Sequence, residues 1–124
     1  MFDSFARFVK SFVNAARGIA YLFKSQSNAR IELIIAGLVL IAGFLFELNN
    51  LEWIVILLCI ALVLSLEGIN TSIETLLNKV HPGINTEIGK AKDLAAGAVL
   101  IASLAAAIIG FVIFVPKLIA QYIN

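Results

Sequence analysis

The sequence predicts an all-α membrane protein, with an N-terminal amphipathic surface helix followed by three transmembrane helices. Three observations predict it. Hydrophobic residues make up 61% of the 124 and charged residues only 14%, against about 45–50% and about 25% in ordinary soluble domains. Apolar side chains at the start recur every three or four residues. Three longer apolar spans then follow, bounded by acidic residues or proline.

The first segment, 1–28, carries Phe2, Phe5, Val9, Phe12, Ala16, Ile19 and Phe23 on one helical stripe. Asp3, Arg7, Lys10, Asn14, Arg17, Tyr21 and Lys24 fall opposite. Aromatic residues on one face and basic residues on the other suit a helix lying in the plane of a membrane interface. The alternative is a helix that packs its stripe on a partner protein.

The membrane helices are expected at 31–48, 52–79 and 87–117, in a single domain over 1–124. Leu94–Val115 carries no charge and ends at Pro116. It is long enough to cross a hydrocarbon layer of about 30 Å. Leu33–Phe46 and Trp53–Leu66 have only 14 uncharged residues each, roughly 21 Å of helix. That shortfall draws Glu32 or Glu67, or both, toward membrane depth, where an ionisable side chain is a functional candidate by default.

Basic residues set the expected orientation. Arg7, Lys10, Arg17, Lys24 and Arg30 precede the first span, and Lys79, Lys90 and Lys92 lie between the second and third. The link Glu47–Glu52 has none. An excess of Lys and Arg marks the cytoplasmic side, so the N-terminus and the segment Glu67–Asp93 are expected there. His81-Pro82-Gly83 should break the second helix, and Asn85 or Thr86 can cap the next.

Several classes are excluded or unsupported. A net charge of +1 gives no electrostatic support for a nucleic-acid partner. Cys59 is the single cysteine and reads as packing. No cleavable signal peptide, Walker loop, zinc pattern or Ser-His-Asp arrangement is expected. Gly37, Gly43, Gly97 and Gly110 read as sites of close helix packing.

The informative stretch runs from Leu66 to Asn78. On a helix, Glu67, Asn70, Thr71, Glu74 and Asn78 share one face. Glu67 and Glu74 stand about 10 Å apart along the axis, suited to two jobs, one as a base and one as a cation ligand. A solvated cytoplasmic face is the alternative. Lys92-Asp93, just before the third span, offers a point charge for phosphate and an acid near a helix start; snorkelling and capping are the alternative.

Glu67-x-x-Asn70-Thr71-Ser72-Ile73-Glu74 and Ala91-Lys92-Asp93 with Ala95-Ala96-Gly97-Ala98 after it resemble the prokaryotic diacylglycerol kinase family, which includes undecaprenol kinases. The resemblance covers nearly the whole chain. It implies a homotrimer in the bacterial inner membrane that uses ATP and Mg²⁺ to phosphorylate the primary hydroxyl of a membrane lipid, with undecaprenol slightly favoured over diacylglycerol. Glu67 corresponds to the general base, with Asn70 beside it. Glu74 corresponds to a metal carboxylate. Lys92 and Asp93 correspond to nucleotide contacts, as do Arg7 and Asn14 on the surface helix and Gly83, Ile84 and Asn85 in the loop. Arg7, Glu67 and Ala96 correspond to lipid contacts. Two positions depart from the pattern: Gln26 stands where the family carries a second metal glutamate, and Asn78 where it carries an aspartate. A catalytically impaired membrane scaffold is the alternative reading.

Overall fold

The structure, a computed structural model, describes residues 1–123. Among them the chain forms four helices, α1 Phe2–Ser25, α2 Ser27–Leu45, α3 Asn50–Val80 and α4 Thr86–Ile123. The last three are long and apolar enough to cross a membrane.

One residue separates α1 from α2. Gln26 takes an extended backbone, φ −114° and ψ 117°, which turns the chain sharply. Arg30 holds the elbow. Its Nη1 donates to the carbonyls of Phe23 at 3.0 Å and Lys24 at 2.9 Å, placing a cation on the open carbonyls of the α1 terminus. This lock lets α2 begin at Ser27, ahead of the expected residue 31.

The α2–α3 turn is a Schellman closure. Leu48 N–H donates to Gly43 O and Glu47 N–H to Phe44 O, with Glu47 at φ 54° in the left-handed position that ends many helices. Asn49 then caps α3 reciprocally with Glu52, at 2.9 and 3.0 Å. This capping box fixes the start of α3 just before residue 52.

α3 and α4 form the most extensive packing pair. They are antiparallel, since Asn78 near the end of α3 meets Lys92 near the start of α4, while Glu52 near the start of α3 pairs with Lys117 at 3.1 Å. Of the two expected caps, Asn85 and Thr86, it is Asn85 whose Oδ1 accepts from the backbone N–H groups of Glu87 and Ile88. α4 does not stop near residue 117. It passes through Pro116 and continues to Ile123. A proline deletes one intrahelical hydrogen bond, and the apolar residues that follow it, together with the Lys117–Glu52 pair, carry the helix on.

Close helix approach occurs within the chain at Gly43 but not at Gly37, Gly97 or Gly110. A Cβ at Gly43 would stand 2.6 Å from the Trp53 ring, whereas the other three positions face open space. Trp53 also stacks at a tilt on Phe44, with centroids 4.8 Å apart. The apolar core is thin, built from small contacts such as Ala29, Ala36, Ile56, Val99 and Ala102. Large side chains including Ile34, Leu38, Leu58, Leu62, Ile101, Ile108 and Phe111 point outward along all three long helices. Such a surface is stable when lipid or further protein covers it.

Candidate functional site

The polar stripe of α3 does not sit uniformly in solvent. Glu67 is 3% exposed and Thr71 5%, while Asn70 is half-buried and Glu74 and Asn78 are exposed. The burial has a simple origin. Leu22, near the end of α1, lies against α3 at Gly68, 3.7 Å from where a Cβ there would be. The α1–α2 elbow thus covers the stripe at its membrane end and leaves its outer end open.

Burying a carboxylate is costly unless it is satisfied. Among the described residues no group donates to Glu67 or Glu74. Glu32 on α2 is close enough to interact electrostatically with Glu67, and its Oε2 is buried without a partner. In the sequence only the shortness of the first span points to Glu32. Three acidic side chains, Glu32, Glu67 and Glu74, therefore lie along one end of the α2–α3 pair with their oxygens unengaged.

The antiparallel course of α2 and α3 also sets Gln26. Gly43 meets Trp53 at one end of the pair and Glu32 approaches Glu67 nearer the other. Moving from Glu32 back to Gln26 is about 9 Å along α2, and from Glu67 on to Glu74 about 10 Å along α3. Gln26 and Glu74 thus both lie at the end of the α2–α3 pair away from the Gly43–Trp53 contact. The Gln26 side chain caps neither adjoining helix, so its amide oxygen is free. One turn beyond Glu74, Asn78 Oδ1 accepts a hydrogen bond from Lys92 Nζ, which brings the two sequence motifs into contact. Asp93 is exposed beside them.

Other sequence-predicted residues lie apart within the chain. Arg7 donates to the carbonyl of Asp3 on its own helix at 3.3 Å, and Asn14 is exposed. Gly83 and Ile84 are exposed in the α3–α4 loop, where Asn85 is engaged as the α4 cap. Ala96 is exposed on α4. Among the described residues no three His, Cys, Asp or Glu side chains converge to hold a metal ion. Glu74 with Gln26 offers two hard oxygen ligands. That set fits Mg²⁺ taken up with a phosphate-bearing substrate, since this ion commonly uses one or two carboxylates and leaves other positions to phosphate and water.

Two recesses flank the stripe. An apolar groove of about 490 Å³ runs between α2, α3 and α4, lined by Ala36, Ile56, Ile60, Ala107 and Phe111, with Glu32 among its walls. A second cleft of about 880 Å³ lies between α1 and α3, with Gly18, Leu22, Thr71, Ser72 and Thr75 among its walls.

Three membrane-crossing helices with a half-covered acidic stripe at one end define a small helical membrane enzyme. Residues 13–114 match the family model for prokaryotic diacylglycerol kinase, and the chain belongs to that family of membrane lipid kinases. Over 112 residues it is 43% identical to undecaprenol kinase of Bacillus subtilis (strain 168), covering 90% of this chain and 91% of that relative. It is 37% identical over 111 residues to diacylglycerol kinase of Synechocystis sp. (strain ATCC 27184 / PCC 6803 / Kazusa), covering 89% of this chain and 63% of that one.

Proposed function

We propose that this protein transfers the γ-phosphoryl group of ATP to the primary hydroxyl of a membrane lipid, with Glu67 as the base. The observation that carries the reading is the placement of Glu67. Its side chain is buried and, among the described residues, receives no hydrogen bond, at the membrane end of a stripe whose other end is open to solvent. A lipid hydroxyl comes from the bilayer and a nucleotide from water, and the two ends of the stripe suit those two sources.

In the proposed reaction the lipid oxygen attacks the γ-phosphorus, the bond to the β-phosphate oxygen breaks, and ADP leaves. Glu67 takes the hydroxyl proton as the new P–O bond forms. Asn70, half-buried one turn away, helps orient the reacting groups. Glu74 and Gln26 would hold Mg²⁺, which when bound neutralises phosphate charge. Lys92, poised by Asn78, meets the phosphates as a point charge, with Asp93, Arg7, Asn14, Gly83, Ile84 and Asn85 as further nucleotide contacts. Positioning and electrostatic stabilisation supply most of the rate in such transfers. The lipid body lies against the apolar groove, with Arg7 and Ala96 as further lipid contacts.

The chain is read as a homotrimer in the bacterial inner membrane, its N-terminus cytoplasmic and α1 in the interface. The exposed phenylalanines Phe2, Phe5, Phe8 and Phe12 support an apolar surface under α1, and the outward apolar side chains of α2–α4 support contact with lipid or sister subunits. Completion by a sister subunit would also give partners to Arg7 and Asn14, which among the described residues make no hydrogen bond to the α3 stripe. Undecaprenol is favoured, supported by the relative that this chain matches across 91% of its length; diacylglycerol is the alternative. The test is transfer of radiolabelled phosphate from ATP to each lipid in mixed micelles. Product with undecaprenol at the higher rate is expected. No product with either lipid would favour the scaffold reading, to which the neutral Gln26 and Asn78 point.

A further inference from the structure

Glu67 and Thr71 are the two buried polar residues of the described chain. They lie one turn apart on the same face of α3. A threonine inside a helix commonly satisfies its hydroxyl on the carbonyl four residues back. Thr75 does so here, donating to Thr71 O at 2.7 Å. Thr71 does not: its Oγ1 is buried and has no partner. The same spacing on the same helix thus gives one closed hydroxyl and one open one, and the open one belongs to the neighbour of a buried carboxylate that no group donates to.

An unpartnered buried hydroxyl carries a desolvation cost of its own, and among the described residues the carboxylate of the buried Glu67 side chain lacks a donor. Rotation about one side-chain bond re-aims a threonine hydroxyl, and the Glu67 carboxylate, one turn back on the same helix face and buried like Thr71, is purely an acceptor. A donor there would fix the rotamer of the carboxylate and leave its second oxygen free for a substrate proton.

We infer that Thr71 is a positioning residue for Glu67, its hydroxyl donating to the buried carboxylate and fixing the oxygen that receives the lipid proton. The inference rests on the kinase reading above, in which Glu67 is the base. Thr71 itself touches no substrate. Its contribution is to the chemical step and not to ATP or lipid binding.

The experiment compares Thr71→Val, Thr71→Ser and Thr71→Ala in the mixed-micelle phosphorylation assay, with kcat and both KM values measured and thermal unfolding in detergent followed alongside. Valine keeps the shape and deletes the donor; serine keeps the donor. Thr71→Val is expected to lower kcat by about 10–100-fold, the span of a lost hydrogen bond to a charged group. Both KM values should stay within about twofold, and Thr71→Ser should restore most of the rate. If Thr71→Val does not fold, Thr71→Ala against Thr71→Ser carries the same comparison. A valine or alanine variant with undiminished kcat, a loss confined to KM, or a serine variant as slow as valine would overturn the inference. Glu67→Gln separates the two levels. If it is inactive while Thr71→Val is unimpaired, only the positioning role fails. If Glu67→Gln is fully active, the base assignment fails and the role of Thr71 with it.

Discussion

Lys92 Nζ donates to Asn78 Oδ1, joining the start of α4 to the end of α3. The contact does more than tie two helices. Lysine is a flexible point charge on four methylenes, and a neutral amide oxygen can restrain it without cancelling its charge. An anion brought to the end of α3 therefore finds an ammonium already held there.

Lys92→Met should raise KM for MgATP by about tenfold or more, since one charge-assisted contact to phosphate is worth about 1.5–3 kcal/mol. Asn78→Ala should raise it less, about two- to fivefold, because the charge survives and only its restraint is lost. Initial rates against MgATP at fixed lipid check both. Equal losses in the two variants would show that Asn78 acts on the nucleotide by itself.

Gly43→Ala should destabilise the fold by about 1–3 kcal/mol. Its Cβ would meet the Trp53 ring at 2.6 Å and Leu48 at 3.1 Å, and an indole packed on Phe44 yields little. Thermal unfolding in detergent should show a lower Tm. An unchanged Tm would mean that the α2–α3 turn relaxes more freely than its Schellman closure and capping box imply.

Gln26→Glu should lower the free Mg²⁺ needed for half-maximal rate, because a second carboxylate at the same end of the α2–α3 pair as Glu74 attracts the cation more strongly. It should also make stability depend more on Mg²⁺, since repulsion between the two carboxylates grows when no cation is bound. Glu74→Ala should act in the opposite direction, raising the requirement for MgATP. Rate against free Mg²⁺ at saturating ATP reads all of these. If neither variant moves the curve, the two side chains do not share a cation.

Much of the fold was legible because lipid-facing helices are written in long uncharged runs. Leu94–Val115 gave its helix without ambiguity, and Pro82-Gly83 with Asn85 gave the break and the cap. The ends were less legible. Pro116 reads as a stop, yet one missing hydrogen bond is a local cost that the following apolar turn and the Lys117–Glu52 pair outweigh. The Arg30 lock on the α1 terminus depends on how sharply the chain bends at Gln26, which no local pattern states. In the stripe, helical spacing put Glu67, Thr71 and Glu74 on one face, but spacing cannot say that the α1–α2 elbow covers the first two and spares the third. The open hydroxyl of Thr71 was invisible for the same reason. Glu32 was only half legible, since the short first span drew attention to it and its approach to Glu67 needed the packing of α2 on α3.

The decisive measurement is phosphorylation of undecaprenol and diacylglycerol by Glu67→Gln in mixed micelles with labelled ATP. Glutamine keeps the shape of the buried side chain and cannot accept the proton. Loss of a general base typically costs about 10²–10⁴-fold, so the rate should fall by at least about 100-fold while the thermal unfolding curve in detergent stays near that of the unaltered protein. A Glu67→Gln enzyme working within twofold of the unaltered rate on either lipid would contradict the assignment of the α3 stripe as the catalytic centre.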